Sequence, residues 1–552
     1  MRSVISVFLV LVTCVEAHRR LIGGNAACGR ARIRKSWDAM TTAERRAYNN
    51  AVEASIEQGI FHHFVKVHMD RRSEMEAHDT CGFVLWHRRY VLAYENMLRT
   101  MPNAACVTVP YWDIMTHLKN MVDGNCHNAQ DCCAITTGIG GLPRTRGTRT
   151  FNGRRVTNHC YSGAPYQAYC DDNDDCGCMP RNDMSAMTIP VGAGFVSLFN
   201  MISTSRSYAE FTDRLESGIH RDIHNLVGGI MATYAAPSDA IFFSWHATVD
   251  MLMYIWHECH VAEPMSNVEK RRSAYAFNQE EECRLTRDAL NNINSMDSTR
   301  TMMMRVNGRD IRQHEEIGQY FRDVGTAYWA FADARSMGDY SYTYEIPSDF
   351  TQYLLGDEQM CPTAQVPSPT PSDTSTGQPS PSPNPSPSPT PTPTPTPGDD
   401  DGDDGELTYW EWYELTKANL ETRIDDPDEV LRQLEYLECI GFDEKFGVHN
   451  FTDDFIEEFL QGKEVEPRCL QILEQIENDE TSVDSEGQET LWGGNADPSA
   501  NATHPPAIDL EEKLANKTKG RTDDPDNGAP AHTIPTLVLT LFLSFLCFMI
   551  HE

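Results

Sequence analysis

The sequence predicts a mainly α-helical protein with one large domain, a proline-rich stalk and a small helical domain near the C-terminus. Between residues 28 and 361, aromatic residues are spread throughout and apolar residues recur at helical spacing. Residues 362–397 repeat Ser-Pro and Thr-Pro, a composition that favours extended polyproline conformation over packing. Leucine and phenylalanine residues return at helical intervals between residues 407 and 476. This order of segments predicts two folded units separated by a solvated stalk.

The 552 residues exceed the length of one ordinary domain. We expect a signal peptide at 1–17, the large domain at 18–361, a Pro/Ser/Thr-rich and acidic linker at 362–406, a small acidic helical domain at 407–480, a disordered acidic tail at 481–527 and a removed C-terminal signal at 528–552. A domain as short as 407–480 buries little core by itself, so Cys439 and Cys469 are expected to staple it.

Both ends of the chain carry apolar segments that are typical of targeting signals. Arg2 precedes an apolar stretch that ends at the small residue Ala17, as in a cleaved signal peptide. Residues 537–550 are strongly apolar, follow small residues at 527–529 and have no Lys or Arg behind them. This layout favours a glycolipid-anchor signal over the alternative of a transmembrane helix. We therefore expect a protein of the secretory pathway that is displayed at the cell surface.

Charge and cysteine content agree with an extracellular protein. The formal charge of -35 argues against a nucleic acid or an anionic membrane surface as partner. When Cys14 and Cys547 leave with the terminal segments, 15 of the 17 cysteines remain, so at least one has no partner within the chain. Seven of them lie between residues 126 and 178, where we expect a disulfide knot. Glycosylation sequons occur at Asn450, Asn501 and Asn516.

The segment HRDIH places two histidines four residues apart, at His220 and His224. A four-residue step on a helix turns only about 40° beyond one full turn, so both imidazoles can reach one metal ion. Two histidines on a polar helix face, or a zinc site, would be the simpler interpretations of this motif alone.

A third histidine follows in an apolar helical pattern at residues 239–256. His246 lies four residues before Asp250, and a buried histidine needs a hydrogen-bond partner or a metal. If His246 is a ligand, Asp250 is placed to orient an imidazole from behind, as carboxylates commonly do beside metals. A core histidine bonded to Asp250 is the alternative.

A second triplet lies upstream, at His68, His78 and His87. His78 and His87 are nine residues apart, which puts them on opposite sides of one straight helix. The turn-forming residues between them predict a break, with His78 on a loop and His87 near the start of a helix over Trp86–Leu98. His62 and His63, on the helix that leads to His68, remain alternatives to it.

Four segments together resemble the type-3 copper proteins, which are the tyrosinases, catechol oxidases and haemocyanins. The segments are GFVLWHRRYVLAYENML, VTVPYWD, HRDIHNLVGG and FFSWHATVD, within residues 28–345, and their spacing is closest to that of secreted animal tyrosinases. The resemblance implies a tyrosinase-like four-helix-bundle core with long loops. It implies two copper ions, one bound by His68, His78 and His87 and the other by His220, His224 and His246, with O2 as co-substrate. A YxY element at residues 340–344 and Arg30 or Arg34 match further family features.

The resemblance also assigns a catalytic residue and raises one doubt. Glu216 precedes His220 by one helical turn, and a similar Glu in family members positions a water near the substrate; a capping or salt-bridging Glu is the alternative. Many tyrosinases have Asn directly after the first histidine of the second triplet, where this chain has Arg221. This difference favours catechol oxidation over hydroxylation of monophenols.

These observations predict a copper oxidase that uses O2 to oxidise o-diphenols to o-quinones, with monophenol hydroxylation left open. The substrate would be a phenol or catechol, protein-bound tyrosine included, and the product would serve extracellular pigment, crosslinking or matrix hardening. A haemocyanin-like O2-binding protein and a structural acidic matrix protein with a silent copper site are the alternatives. No motif decides whether the small helical domain shields the site.

Overall fold

Helices make up most of the residues that the computed structural model describes, in agreement with the predicted mainly α class. The described residues are 28–261, 263–277, 298–347, 351, 361 and 407–484. The predicted signal peptide, the linker at 362–406, the tail beyond residue 484, the C-terminal signal, Asn501 and Asn516 lie outside them. Within the described part of the chain, no helix is both long and apolar enough to cross a membrane.

In chain order, the helices are α1 (Thr42–Glu57), α2 (Ile60–Met69), α3 (Arg71–Ala77), α4 (Phe83–Leu98), α5 (Ile114–Val122), α6 (Ala129–Cys132), α7 (Ala134–Gly138), α8 (Phe195–Thr204), α9 (Tyr208–Leu215), α10 (Arg221–Val227), α11 (Ile241–His260), α12 (Glu269–Arg272), α13 (Gln319–Arg322), α14 (Tyr409–Glu421), α15 (Pro427–Phe446), α16 (Asp453–Glu458) and α17 (Arg468–Glu477). A π-helical turn, Glu216–His220, joins α9 to α10.

The strands contain far fewer residues than the helices, and side chains such as Tyr161 and Met179 belong to the same buried core. The strands are β1 (Ile33–Arg34), β2 (Pro143–Phe151), β3 (Arg154–Tyr161), β4 (Met179–Arg181), β5 (Arg305–Val306), β6 (Arg309–Asp310) and β7 (Thr343–Tyr344). β2, β3 and β4 form an antiparallel sheet, and β5 pairs with β6. β1 runs parallel to β7, with Arg34 opposite Tyr344, so the first and last strands of the large domain are partners.

Four helices, α2, α4, α10 and α11, carry four of the six predicted ligand histidines. Helix α4 packs against α11, which is buried along almost its whole length. The predicted break before α4 is present: Asp79 has a positive φ of 51°, and the Gly82 N–H donates to Thr80 Oγ1 at 3.0 Å. Helix α4 begins at Phe83 rather than at the predicted Trp86, because this turn is complete by Gly82.

A buried carboxylate, that of Asp250 on α11, ties these elements together. Asp250 accepts hydrogen bonds from Arg34 of β1 at 3.0 Å and from Tyr344 of β7 at 2.6 Å, and also from Arg88 of α4 and from Tyr342. Burial alone would raise the pKa of Asp250, but the guanidinium groups of Arg88 and Arg34 lower it below its ordinary value. The Asp250 cluster therefore fixes α4 and α11 against the strand pair that closes the domain.

The small C-terminal helical domain packs directly on the large domain. Helix α15 lies against α8, and the buried residues of both segments form one hydrophobic cluster that includes Leu434, Phe199 and Trp412. Helix α14 begins with a capping box formed by Thr408 and Glu411. The predicted disulfide between Cys439 and Cys469 links α15 to α17.

The carboxyl group of Glu438 on α15 anchors this packing. It accepts hydrogen bonds from the Ser197 N–H at 3.2 Å and the Ser197 hydroxyl at 2.8 Å, near the start of α8, and it also contacts the Tyr409 hydroxyl. Gly194 leaves room for it, because a Cβ there would collide with the Glu438 carboxyl group. Burial, together with the nearby Glu435, raises the pKa of Glu438 to about 7, although the bonds from Tyr409 and Ser197 act in the opposite direction.

The seven cysteines between residues 126 and 178 form the predicted set of disulfides with one left over. Cys126 pairs with Cys132, Cys160 with Cys178 and Cys170 with Cys176. Cys133 is the free cysteine among those that the structure describes, and it is buried. Cys28–Cys106 and Cys259–Cys361 connect more distant parts of the large domain.

Replacing Asp250 by Asn will destabilise the large domain, because it leaves the buried Arg34 and Arg88 without their shared carboxylate. We expect a loss of about 3–5 kcal/mol in the free energy of unfolding. Urea denaturation followed by tryptophan fluorescence measures it. Asp323→Asn, at an exposed carboxylate, is the control and should change stability by less than about 0.5 kcal/mol. Equal stability of the two variants would contradict the anchoring role of Asp250.

The packing of the C-terminal helices will weaken as the pH rises from about 4.5 to above 7. Because the folded state raises the pKa of Glu438 to about 7, it holds a proton that the unfolded chain has released, so its contribution is present at low pH and lost as the pH rises through that range. Glu438→Gln removes this titration. We expect the stability difference between wild type and Glu438→Gln to change by about 2–3 kcal/mol between pH 4.5 and pH 8. Glu444→Gln, at an exposed position of α15, should leave the wild-type pH profile intact.

Candidate metal centre

Six imidazole rings meet inside the bundle, three from each predicted triplet. They belong to His68 of α2, His78 directly after α3, His87 of α4, His220 at the end of the π-helical turn, His224 of α10 and His246 of α11. Within each triplet, ligand atoms of the three rings all lie within 4.8 Å of one another. The rings of His87 and His246 stack with 4.1 Å between their centroids, so the two triplets are adjacent.

Backbone carbonyl groups fix five of the six rings through Nδ1. The Nδ1–H groups donate from His68 to Tyr234 at 2.8 Å, from His78 to Glu74 at 3.1 Å, from His87 to Phe83 at 2.9 Å, from His220 to Glu216 at 3.3 Å and from His224 to Met231 at 2.6 Å. A ring that donates from Nδ1 keeps its lone pair on Nε2. This is the arrangement by which second-shell carbonyl groups orient imidazole ligands toward a metal.

In five of the six rings, Nε2 is left without a partner. The Nε2 atoms of His68, His87, His220, His224 and His246 are buried and have no hydrogen-bond partner among the described residues, and neither has Nδ1 of His246. Buried polar atoms without partners are rare because leaving them unpaired is costly. Three neutral imidazoles per site form a donor set that suits copper, so the residues present fit a pair of copper ions.

The burial of the cluster keeps the imidazoles neutral. Desolvation lowers the pKa of His68 to about 4 and that of His224 to about 3, while hydrogen bonds to Tyr234 and Met231 oppose the shift. It lowers the pKa values of His78, His87, His220 and His246 well below the ordinary value, and the neighbouring histidines lower them further. Only the neutral ring is a metal ligand, so the cluster is prepared for metal at neutral pH.

The alternatives to His68 lie elsewhere. His62 stacks on Tyr169 with 4.7 Å between ring centroids, and His63 lies beside His314 and Glu316. Both point away from the triplet because they fall on other faces of α2. His68 is therefore the histidine of this helix that joins His78 and His87.

Asp250 does not orient an imidazole, contrary to the prediction. Its two carboxylate oxygens are used by Arg88 on one side and by Arg34, Tyr342 and Tyr344 on the other. Sequence spacing placed it one turn after His246 but gave no sign of these cationic partners from distant parts of the chain. Asp250 acts on the centre indirectly, because it fixes the helix that carries His246.

Glu216 lies beside the second triplet, at the start of the π-helical turn. Its Oε1 accepts the Asp79 N–H at 2.7 Å, and the side chain lines a small cavity together with His78 and His220. Burial and the nearby Asp79 carboxylate raise the pKa of Glu216 well above its ordinary value. The turn departs from helical geometry at Gly218, with φ −94° and ψ −119°, which the sequence pattern did not predict. Such π-helical turns are frequent at functional sites.

Charged side chains surround the mouth of this cavity. Arg221 donates to Asp79 Oδ1 at 3.2 Å, and Lys463 donates to Asp79 Oδ2 at 2.8 Å. Asp79 thus connects the loop that carries His78 to the C-terminal segment that carries Lys463. The side chain of Arg221 forms an ion pair with Asp79, and it lines the cavity next to Glu216.

Phe459, directly after α16, covers the centre, and sequence reasoning missed it. Its ring lies 4.9 Å from that of His224, 6.0 Å from that of His220 and 6.3 Å from that of His78, between centroids. It also stacks on Tyr234 at 6.3 Å and on Phe455 at 4.8 Å. The C-terminal helical domain therefore closes the histidine cluster in this structure. In the sequence Phe459 is one of several apolar residues at helical spacing, and nothing distinguishes it from its neighbours.

Comparison with known proteins gives the same family for the central part of the chain. Residues 58–259 match the family model described as the common central domain of tyrosinase. The tyrosinase-like protein phomQ1' of Diaporthe leptostromiformis is 26% identical over 253 residues, which cover 42% of this chain and 65% of that protein. The tyrosinase of Streptomyces lincolnensis is 25% identical over 259 residues, 41% of this chain and 83% of that protein. This chain thus covers just under two thirds of the length of the Diaporthe relative.

Two solved structures show a limited likeness to this chain. A polyphenol oxidase from Thermothelomyces thermophila is 16% identical, with a TM-score of 0.36 over 60% of this chain and 94% of that one. A tyrosinase from Burkholderia thailandensis is 13% identical, with a TM-score of 0.29 over 61% of this chain and 78% of that one.

The family match spans all of the residues that supply the six imidazoles. Both the site and the comparisons therefore lead to one conclusion: residues 58–259 of this chain form a tyrosinase central domain, and the two histidine triplets of a type-3 copper centre lie within it.

Proposed function

We propose that this chain is a tyrosinase-type copper oxidase that uses O2 to oxidise o-diphenols to o-quinones. The observation that carries the proposal is the set of buried, neutral imidazoles whose ligand atoms lie within 4.8 Å of one another in each triplet, five of them with an Nε2 atom that has no partner among the described residues. His68, His78 and His87 would hold one copper ion, and His220, His224 and His246 the other. When bound, the copper pair would supply the redox chemistry: each o-diphenol gives up two electrons and two protons to become an o-quinone, and two such oxidations reduce one O2 to two water molecules.

The protein side chains around the centre hold and orient the reactants. The carbonyl groups that accept from Nδ1 keep the imidazoles in the metal-binding tautomer. Glu216, which lines the cavity beside His220, is placed to hold a water that takes the phenolic proton. The Asp79 N–H fixes its carboxyl group at 2.7 Å. The apolar ring of Phe83, 4.6 Å from that of His220, helps to exclude bulk water.

Arg221 supports catechols rather than monophenols as the substrate class. It lies at the cavity wall beside Glu216, and its guanidinium group is engaged with Asp79 instead of offering an amide oxygen to the water near Glu216. A monophenol needs deprotonation and insertion of oxygen, whereas a catechol needs only oxidation. The catechol form of protein-bound tyrosine is a candidate substrate if α16 is displaced.

Because the C-terminal helical domain covers the histidine centre, the structure supports an enzyme in a latent form, with its centre closed to substrate. Phe459 lies over the second triplet, and the contact from Lys463 to Asp79 holds the segment in place at 2.8 Å. A substrate ring would reach the centre only after this segment moves. A haemocyanin-like O2-binding protein would also have a closed centre, and a matrix protein with a silent site would show no copper-dependent turnover, so measurement of turnover decides among the three.

We further propose that the protein acts in the secretory pathway or at the cell surface, on extracellular pigment, crosslinks or matrix. The predicted signal peptide, sequons and glycolipid-anchor signal support this location. The disulfides of the described residues support an oxidising compartment.

Copper binding and turnover test the proposal directly. The full mature chain, loaded with copper, should bind two copper ions and consume O2 with a catechol faster than with a monophenol. His220→Ala removes one ligand, so bound copper should fall to about one ion per chain and activity should be lost. His260→Ala is the control, since His260 donates to the Ile202 carbonyl outside the centre. Two bound coppers with no turnover of either substrate, also after displacement of Phe459, would exclude the enzyme.

Removing the ring that covers the centre will activate the enzyme. Phe459→Ala opens a path to the second triplet, and we expect kcat/KM for a catechol to rise on the order of tenfold. Steady-state O2 uptake measures the change, and copper content should stay at two per chain. Phe446→Ala, a half-buried residue on α15, is the matched control and should not activate. Unchanged kcat/KM in Phe459→Ala would show that this ring does not limit access.

Arg221→Asn will shift the substrate preference toward monophenols. The amide leaves the ion pair with Asp79 and offers an oxygen beside Glu216, so the ratio of monophenol to catechol turnover should rise at least about threefold. Arg221→Lys retains the positive charge and should keep the wild-type ratio. The two ratios are compared on copper-loaded protein in the Phe459→Ala background.

A further inference from the structure

A cavity of about 300 Å³ separates the π-helical turn and α8 from the C-terminal helical domain. It is distinct from the small cavity beside the histidine centre, and it has the size of a site for a small organic molecule. Its walls are largely apolar and come from both sides: Leu198, Met201 and Ile219 from the large domain, and Phe442, Val448 and Phe451 from the C-terminal one.

Asp222 brings one carboxylate to this apolar cavity. The residue is only 6% exposed, it lines the cavity, and its Oδ1 has no hydrogen-bond partner among the described residues. Gly192 leaves space for the Asp222 carboxylate, because a Cβ at that position would collide with Asp222 Oδ2. A buried carboxylate oxygen needs a donor, and the described part of the chain provides none.

The other charged side chains of the cavity already have partners. Glu435 accepts from Arg468 at 2.6 and 2.7 Å and from Asn200 at 2.8 Å. Arg214 donates to Thr204 at 2.7 Å and to Ser205 at 3.3 Å. Asp222 is therefore the acidic side chain of the cavity for which the described residues provide no donor, and an ammonium group on an apolar body would provide one.

We propose that this cavity is a binding site for a small organic ammonium compound with an apolar or aromatic body, whose ammonium group donates to Asp222. The ligand would touch both walls at once. It would therefore hold α15 and α17 against the large domain and, through them, the closed position of Phe459. This site is independent of the proposed oxidase reaction, since its ligand neither binds copper nor is oxidised.

Calorimetric titration of the copper-loaded full chain at pH 8 tests the site. The probe is 2-phenylethylamine, which carries no phenol group, and 2-phenylethanol is its neutral counterpart. We expect the amine to bind at one site per chain and the alcohol to bind at least tenfold more weakly. Asp222→Asn should weaken amine binding at least tenfold, whereas Asp213→Asn, at an exposed carboxylate of the preceding helix, should leave it unchanged.

A second variant keeps the test decisive if Asp222→Asn disturbs the neighbouring histidines. Val448→Trp fills the cavity from the C-terminal side, away from the histidine centre, and should also abolish amine binding. Hydrogen exchange should show slower exchange of α15 and α17 amides with the amine in wild type and no change in Val448→Trp. Amine binding that persists in either variant, equal binding of the alcohol, or binding without slower exchange would overturn the proposal.

Discussion

The buried carboxylate of Asp250 is the interaction on which the rest of the large domain depends. Arg34 near the start of the domain and Tyr342 and Tyr344 at its end meet on this group, while Arg88 brings α4 to it. Arg34 also donates to Glu95 at 3.0 Å, so one guanidinium group connects α4 and α11. Removing one partner from such a buried ionic cluster leaves uncompensated charge, so each member depends on the others. The positions of His87 and His246 follow from it, because these residues lie on the two helices that it joins.

Much of the histidine centre was predictable because helical and turn geometry leave few choices. The four-residue step from His220 to His224 and the nine-residue step from His78 to His87 each constrain where a ring can point. The turn-forming residues after His78 explain why it lies outside a helix. The start of α4 was predicted three residues late, which reflects how little the sequence of a helix end differs from that of its first turn.

Contacts between distant segments account for what the sequence did not predict. The side chains that donate hydrogen bonds to Asp250 all lie more than ninety residues away from it in the sequence. The π-helical turn at Glu216–His220 retains nearly helical spacing, so periodicity does not reveal it. Phe459 and Glu438 belong to an amphipathic segment whose pattern indicates a helix but not the surface that it covers. The small domain that the sequence predicts as separate thus covers the large one. Its apolar face and the apolar face of α8 would both be exposed to water if the two did not pack together.

The only cysteines between residues 407 and 484 are Cys439 and Cys469, and they pair with each other. The C-terminal helices are therefore joined to the large domain by noncovalent contacts and by the single connection through residues 362–406. While that connection is intact, closure of the centre is a unimolecular process with an effective concentration on the order of millimolar. A cut anywhere in the linker would turn it into an association between two fragments, so dilution alone would then open the centre. Local protein concentration would thus become the quantity that decides whether the centre is covered.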